Sequence, residues 1–332
     1  MRALILLLLA TAALAEPPEP KFRAVTLDDK VQIGYGVAVA DVDGDGAPDV
    51  LLADKKQFLW YRNPGGEKAR DPAAWARHVL AENLTAQDNV CLAAQDIDGD
   101  GKCEIAVGAE WNPGDTEKSG AVFYLIAPAD RTQPWEPVKF PSVEPTTHRM
   151  RWIKLEEGSW GLVVVPLHGR GNKNGEGAPV KVLCYRKPAD PKGEWKAEVV
   201  DESMHMTHNF EIERDPHGAV LGLLLGGKEG MAEVVPFAQP GGRETKWGSS
   251  RLVSSVSDPI PVAKGGVGEV REGHVAESTQ FIATVEPMHG TSLVAYTQPR
   301  TTPRTRHVLT DKLTEGHALR CGDLLGDRKA HV

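Results

Sequence analysis

The sequence predicts an all-β fold, a β-propeller of four-stranded antiparallel blades. Three observations predict it. An acidic loop occurs twice in one register, as Asp41-Val-Asp43-Gly-Asp45-Gly-Ala-Pro-Asp49 and as Asp96-Ile-Asp98-Gly-Asp100-Gly-Lys-Cys-Glu104. A strand phrase led by tryptophan or arginine recurs along the chain, as Trp75-Ala-Arg-His78-Val79-Leu80, Trp135 to Phe140, Trp195 to Val200 and Arg304 to Leu309, with Trp247 to Val253 as a looser copy. Each repeat holds four short apolar segments and no helical periodicity between them. Four antiparallel strands per repeat make a propeller blade. The 34 glycines and 24 prolines suit the many turns such a fold needs.

The elements follow in order. Met1-Arg2, the apolar run Ala3–Ala10 and the small-residue site Ala13-Leu14-Ala15 read as a signal peptide over residues 1–15. The run is short for a membrane span, and an uncleaved anchor is the alternative. Residues 16–332 then form a single propeller domain, periplasmic or secreted, with no membrane span in the mature chain. Lys21–Leu27 reads as one more outer strand, placed to complete the last blade and close the ring, or else as an ordinary N-terminal strand. In the second repeat the strands are expected at Val90–Gln95, Ile105–Gly108, Ala121–Ile126 and Val138–Phe140. In the third they are expected at Arg149–Leu155, Gly161–Val165, Val180–Tyr185 and Ala197–Val200. Later copies of the acidic loop decay to Lys154–Gly158, Glu213–Gly218, Arg271-Glu272-Gly273 and Asp323–Asp327. Seven blades are expected, with six as the alternative. In either case the sequence stops within a blade, which suggests a chain truncated at its C-terminus.

The acidic loops point to a metal. Carboxylates at loop positions 1, 3 and 5 converge when the chain curls, and Gly46 and Gly101 permit the curl. A backbone carbonyl and a ninth-position carboxylate complete an oxygen cage suited to Ca²⁺. The expected ligands are Asp41, Asp43, Asp45 and Asp49 in one loop, and Asp96, Asp98, Asp100 and Glu104 in the other. The ion is expected to be structural. The alternative is a polar β-turn without an ion.

Composition narrows the function. The chain has 46 acidic and 38 basic residues, a formal charge of −8, which argues against general nucleic-acid binding. Cys91, Cys103, Cys184 and Cys321 lack paired metal-binding spacing. They read as buried free thiols, although Cys91 and Cys103 flank one loop closely enough to pair.

Propeller geometry then sorts the histidines. The acidic loops join first and second strands, so they share one face. His148, His208 and His317 enter inner strands at the opposite face, each the same distance ahead of its loop position at 154, 214 or 323. His205 precedes one of them. Pro166-Leu-His168-Gly169 and Pro287-Met-His289-Gly290 leave second strands towards the same face. Six of the eleven histidines thus fall on one rim, where imidazoles can bind Zn²⁺ or another divalent transition metal, or exchange protons near neutrality. His148, His208 and His317 are the candidate ligands of this second metal. Glu110, Trp111, Arg170, Lys228 and Glu229 occupy comparable loops. Trp111 could stack on a sugar. His78 and His307 lie in outer strands and read as structural.

The acidic loops and the Asp-Val-Leu-Leu or Glu-Ile-Ala-Val strands that follow resemble FG-GAP or VCBS repeats. The phrases Pro166-Leu-His168-Gly-Arg170-Gly-Asn172, His205-Met-Thr-His208-Asn209-Phe210 and Gly226-Gly227-Lys228-Glu229-Gly230 resemble the propeller part of aldos-2-ulose dehydratase and its bacterial relatives. That resemblance implies dehydration of keto-sugars such as 1,5-anhydrofructose. Fungal members carry additional cupin domains, which this sequence lacks, so only the dehydratase half is implied.

The expected function is an exported lyase or dehydratase, acting by β-elimination on a keto-sugar or related small saccharide. Elimination beside a carbonyl needs a base, a cation for the enolate and an acid for the leaving oxygen. His208 or His148 is the candidate base or metal ligand, His168 and His289 its partners, and Arg170 or Lys228 the oxyanion stabiliser. The alternative is a non-catalytic, Ca²⁺-stabilised binding or adhesion propeller. Hydrolysis at the same site is a third course, although no nucleophile elbow is present.

Overall fold

The computed structural model describes residues 21–141, 143–156, 159–215, 218–238, 245–254, 264–276, 279–297, 305–326 and 329–332. They form twenty strands in five four-stranded antiparallel sheets, each made of four consecutive strands. The first blade holds β1 (Gly36–Ala40), β2 (Asp49–Ala53), β3 (Gln57–Arg62) and β4 (Ala76–Glu82). The second holds β5 (Cys91–Gln95), β6 (Glu104–Ala109), β7 (Ala121–Ile126) and β8 (Glu136–Lys139). The third holds β9 (Thr147–Glu156), β10 (Ser159–Pro166), β11 (Val182–Arg186) and β12 (Lys196–Asp201). The fourth holds β13 (Thr207–Arg214), β14 (Val220–Gly227), β15 (Gly230–Ala238) and β16 (Thr245–Ser254). The fifth holds β17 (Glu269–Ala276), β18 (Thr279–Glu286), β19 (Ser292–Thr297) and β20 (Thr305–Thr310). Among the described residues no helix is long and apolar enough to cross a membrane.

Strand position within a blade dictates composition. Second strands such as β6 and β10 are covered on both faces and read as continuous apolar runs. Outer strands β4, β8 and β12 carry more exposed residues and polar side chains. The core is a series of seams between sheets rather than one cluster. Leu51, Trp60, Ile105 and Phe123 join the first two blades. Tyr124, Phe140, Trp152, Tyr185 and Trp195 join the second to the third. Val163, Phe210 and Leu225 join the third to the fourth, and Leu224, Val270 and Tyr296 the fourth to the fifth. The recurring tryptophan phrase now has a reason. The Nε1–H of Trp75, Trp135 and Trp195 donates to the carbonyls of Ala69, Arg131 and Pro191, so each ring fastens the loop that leads into its outer strand.

Two expectations need correction. Lys21–Leu27 forms no strand; it is largely exposed and finds no sheet edge to pair with. This end of the chain is held instead by side chains, the Tyr61 hydroxyl donating to Asp28 at 2.6 Å. Arg271-Glu272-Gly273 is not a turn: it lies inside β17, paired with Ala283, Ile282 and Phe281 of β18. A Cβ on Gly273 would sit 2.3 Å from the Phe281 ring, so this glycine makes room for an aromatic side chain rather than a bend. The segment 1–15 lies outside the described residues. Beyond β20, an antiparallel bridge between Gly322 and His331 frames the turn around Asp323–Gly326, as the start of a sixth hairpin would. Cys91, Cys103, Cys184 and Cys321 are free thiols, the first three of them buried.

Candidate functional site

The acidic loops curl as their spacing implies. Asp41 accepts from the N–H groups of Gly44 (2.7 Å) and Gly46 (2.8 Å), and Asp96 from those of Gly99 (2.7 Å) and Gly101 (3.0 Å). Gly44, Gly46, Gly99 and Gly101 all take φ between 79° and 85°, where a side chain would strain the turn. Ligand-capable oxygens of Asp41, Asp43 and Asp45 lie within 4.8 Å of one another, as do those of Asp96, Asp98 and Glu104. The loops differ in two ways. Arg62 stands 2.6 Å from Asp43 and 3.4 Å from Asp45, a built-in cation in the first loop. Asp49 is fully buried, its oxygens taken by the N–H groups of Val42 and Asn63, so it braces the hairpin. In the second loop Glu104 accepts from Ile97 at 3.0 Å, and Asp100 from Lys102 at 2.8 Å. Among the described residues no basic side chain pairs with Asp96, Asp98, Asp100 or Glu104.

At the opposite ends of the sheets four histidines meet. His148 and His208 are placed by the same device. In β9, Thr147 pairs with Pro166 and Arg149 with the adjacent Val165, so His148 is the extra residue of a bulge. In β13, Thr207 pairs with Gly227 and Asn209 with Gly226, so His208 is extra in the same way. A bulge re-aims the side chain it carries. His289 arrives from the loop after β18 with φ 54°, a left-handed conformation that is strained for a residue with a Cβ. His317 comes from the segment after β20. Ring centroids lie 4.9 Å apart for His148–His208, 4.6 Å for His208–His289, 4.9 Å for His208–His317 and 4.3 Å for His289–His317. Trp111 stacks on His148 at 5.1 Å, so that indole is a wall of the cluster.

The protonation pattern suits a ligand set. His208 Nδ1 lies 2.7 Å from the Gly268 carbonyl, which can only accept, so Nδ1 carries the proton and Nε2 the lone pair. That Nε2 is 2.7 Å from His289 Nε2. Ligand nitrogens of His208, His289 and His317 all lie within 4.8 Å of one another. Burial first, then His208 and Arg149, push His289 down; burial, His208, His289 and Arg149 push His317 down to about 4. Burial, helped by Arg149, holds His148 well below the usual range, and its buried Nδ1 has no hydrogen-bond partner among the described residues. The lowered values of His148, His289 and His317 favour the neutral imidazole, the form that ligates a metal. The donor set therefore fits Zn²⁺ or a similar divalent ion.

Charged residues missing from the sequence reading surround the cluster. Glu269 is buried, 3.6 Å from His208 Nδ1 and bonded to Asn209 and Arg271. Burial alone would raise its carboxyl, but His208, Arg271 and Asn209 outweigh that and hold it below the usual value. Below it, Glu211 faces Arg271, and Arg149 lies 3.4 Å from His317 Nε2. Their signal was present in the sequence. Arg149-x-Arg151, Asn209-x-Glu211 and Glu269-x-Arg271 put polar side chains on one face of three inner strands.

The other expected site residues go elsewhere. His168 is buried, its N–H bonded to Thr146 Oγ1, and it bridges Met206 away from the four rings. Arg170 donates to the carbonyls of Glu117 (2.8 Å) and Val143 (3.3 Å) and faces Glu144, so it fastens loops instead of facing an oxyanion. Lys228 donates to the Asn174 and Gly175 carbonyls, a second fastening. Asn172 completes that brace through Ala178 and His205. His205 pairs with Glu229 at 3.0 Å. His78 packs on Trp60 and His307 contacts Thr297, both in outer-strand positions as expected.

Comparison with known proteins fits this geometry. Residues 119–299, more than half of the chain, match the family described as aldos-2-ulose dehydratase, beta-propeller domain. The chain belongs to the aldos-2-ulose dehydratase β-propeller family. The matched segment carries His148, His208 and His289. The preceding residues 34–107, with both acidic loops, match the FG-GAP-like repeat. Family membership makes this a carbohydrate-related β-propeller. No curated protein matches the sequence. Among solved structures, the compost-metagenome glycoside hydrolase CoXyl43, a β-xylosidase/α-arabinofuranosidase solved with xylotriose, aligns over 86% of this chain and 92% of its own. Its identity is 9% and its TM-score 0.41. An Agrocybe aegerita lectin specific for non-reducing terminal N-acetylglucosamine aligns over 85% of this chain and 81% of its own, at 12% identity and a TM-score of 0.37.

Proposed function

We propose that this family member is an exported saccharide lyase that breaks a C–O bond β to a carbonyl at the axial histidine cluster. The observation that carries the reading is the convergence of His208, His289 and His317, with His208 Nδ1 committed to a carbonyl and Nε2 turned to the other two rings. Those three residues would hold a divalent transition metal, which when bound supplies a Lewis acid for a substrate carbonyl. The chain's own groups do the rest. Glu269 and the Gly268 carbonyl orient His208. Trp111 and the bulge hold His148 beside the same centre as the candidate base, an imidazole kept unprotonated by its burial. A keto-sugar such as 1,5-anhydrofructose is the substrate type the family supports.

We also propose that Ca²⁺ sits in the acidic loops as a structural ion. The second loop is the stronger site, because Arg62 already neutralises the first. One experiment addresses both metals. The purified protein is stripped, reloaded with Zn²⁺, Mn²⁺ or Ca²⁺, assayed for bound metal, and incubated with 1,5-anhydrofructose. Ultraviolet-absorbing enone should form only with a transition metal, and His208→Ala should abolish both that metal and the enone while Ca²⁺ uptake persists. Absence of enone with every metal sinks the lyase reading and leaves a binding propeller.

A further inference from the structure

The axial cavity has a charge opposite to that of the molecule. The chain carries a formal charge of −8, yet five arginines line this cavity of about 1070 Å³ against only Glu211 and Glu272. Most of the positive charge is shared out. Glu211 lies 3.3 Å from Arg271, 3.9 Å from Arg151 and 3.9 Å from Arg320, and Glu269 lies 3.1 Å from Arg271.

Arg149 stands apart at the histidine end of the cavity. Its Nη1 donates to the His148 carbonyl at 3.0 Å, which fixes the guanidinium plane. Its Nη2 points at His317 Nε2, 3.4 Å away. Among the described residues no carboxylate pairs with it. A half-buried guanidinium without an anion is unfavourable, and its planar fork matches a carboxylate. The fork opens beside the imidazoles, so one small ligand can reach both.

We propose that this site binds an acidic saccharide, a sugar bearing one carboxylate, with that carboxylate on Arg149 and its neighbouring oxygens towards the histidines. The inference rests on the saccharide reading above and narrows it from neutral keto-sugars to uronates. One guanidinium with one free edge suits a single monoanionic group. Arg151, Arg271 and Arg320 already share Glu211 or Glu269, and Arg214, at the far end of β13, donates to the Gly218 carbonyl.

The test is calorimetric titration of the metal-loaded protein with D-glucuronate and with D-glucose. Glucuronate should bind about ten- to a hundredfold more tightly, the contribution of one charge-assisted pair. Arg149→Gln should erase that preference and Arg149→Lys should keep part of it. Arg70→Gln, at an exposed surface pair, should change nothing. Thermal melting of each variant checks folding. Equal affinity for the two sugars, no glucuronate binding at millimolar concentration, or an undiminished preference in folded Arg149→Gln overturns the proposal. The lyase reading fails separately. Enone from neutral keto-sugars with no preference for glucuronate keeps the lyase and overturns the acidic ligand; the reverse pattern keeps the acidic ligand and overturns the lyase.

Discussion

His208 shows how much one residue depends on its surroundings. It is an ordinary imidazole until a bulge turns it, the Gly268 carbonyl fixes its tautomer and Glu269 supports it from behind. Outer groups of this kind typically alter metal affinity about 10–100-fold. Glu269→Gln should therefore weaken Zn²⁺ binding by about that factor in a chelator competition. Glu272→Gln, which lines the cavity away from His208, should not. A second residue-scale prediction concerns Asp54. Its Oδ1 accepts from Gln32 (2.9 Å), Ile33 (2.8 Å) and Gly34 (3.3 Å). Burial would raise its carboxyl, but these N–H groups and Lys55 outweigh it and hold the folded value below the usual one. The depressed value means that Asp54 stabilises the fold above the unfolded pKa near ~3.9, and the benefit is lost as pH falls through the folded value. In urea unfolding between about pH 5 and pH 3, Asp54→Asn should be less stable at the upper end and show a shallower pH dependence.

Individual elements were legible to different degrees. The four strands of the second and third blades lie where the alternation and turn residues put them, because a strand buried between two sheets must be apolar along its length. The β17–β18 turn was misplaced because Arg271-Glu272-Gly273 imitates a decayed acidic loop, while the glycine there serves the Phe281 ring. The histidine register was legible for His148 and His208, whereas His317, expected at an inner strand, lies in a segment that forms none; the bulges that place His148 and His208 were not legible, since a bulge depends on how two strands pair. The loop carrying His289 gives a test at this scale. A Cβ on Gly290 would lie 2.2 Å from the Glu286 carbonyl oxygen. Gly290→Ala should cost about 2–4 kcal/mol in chemical denaturation and weaken Zn²⁺ uptake at the proposed histidine site. Gly322→Ala, with open space around it, should be nearly neutral.

At the scale of the whole molecule the blades are held by their seams. Trp195 stacks on Phe140 at 4.4 Å and lies 5.4 Å from Tyr124 and 6.2 Å from Trp152, so it belongs to two blades at once. Trp195→Ala should cost about 3–5 kcal/mol. Hydrogen exchange should then show protection falling together in β7 and β10 rather than in the third blade alone.

The sequence by itself determined the four-stranded repeat, the curl of the acidic loops and the rim on which the histidines lie. All three follow from local periodicity, turn chemistry and topology. Only the tertiary structure decided which rim residues meet. It sent Arg170 and Lys228 to backbone carbonyls and His168 to a bridge, and it gathered His148, His208, His289 and His317 around one point. It also revealed Arg149 and Glu269. The physical reason is that contacts across the axis join residues far apart in the chain, and their distances depend on strand register and on the packing of neighbouring sheets.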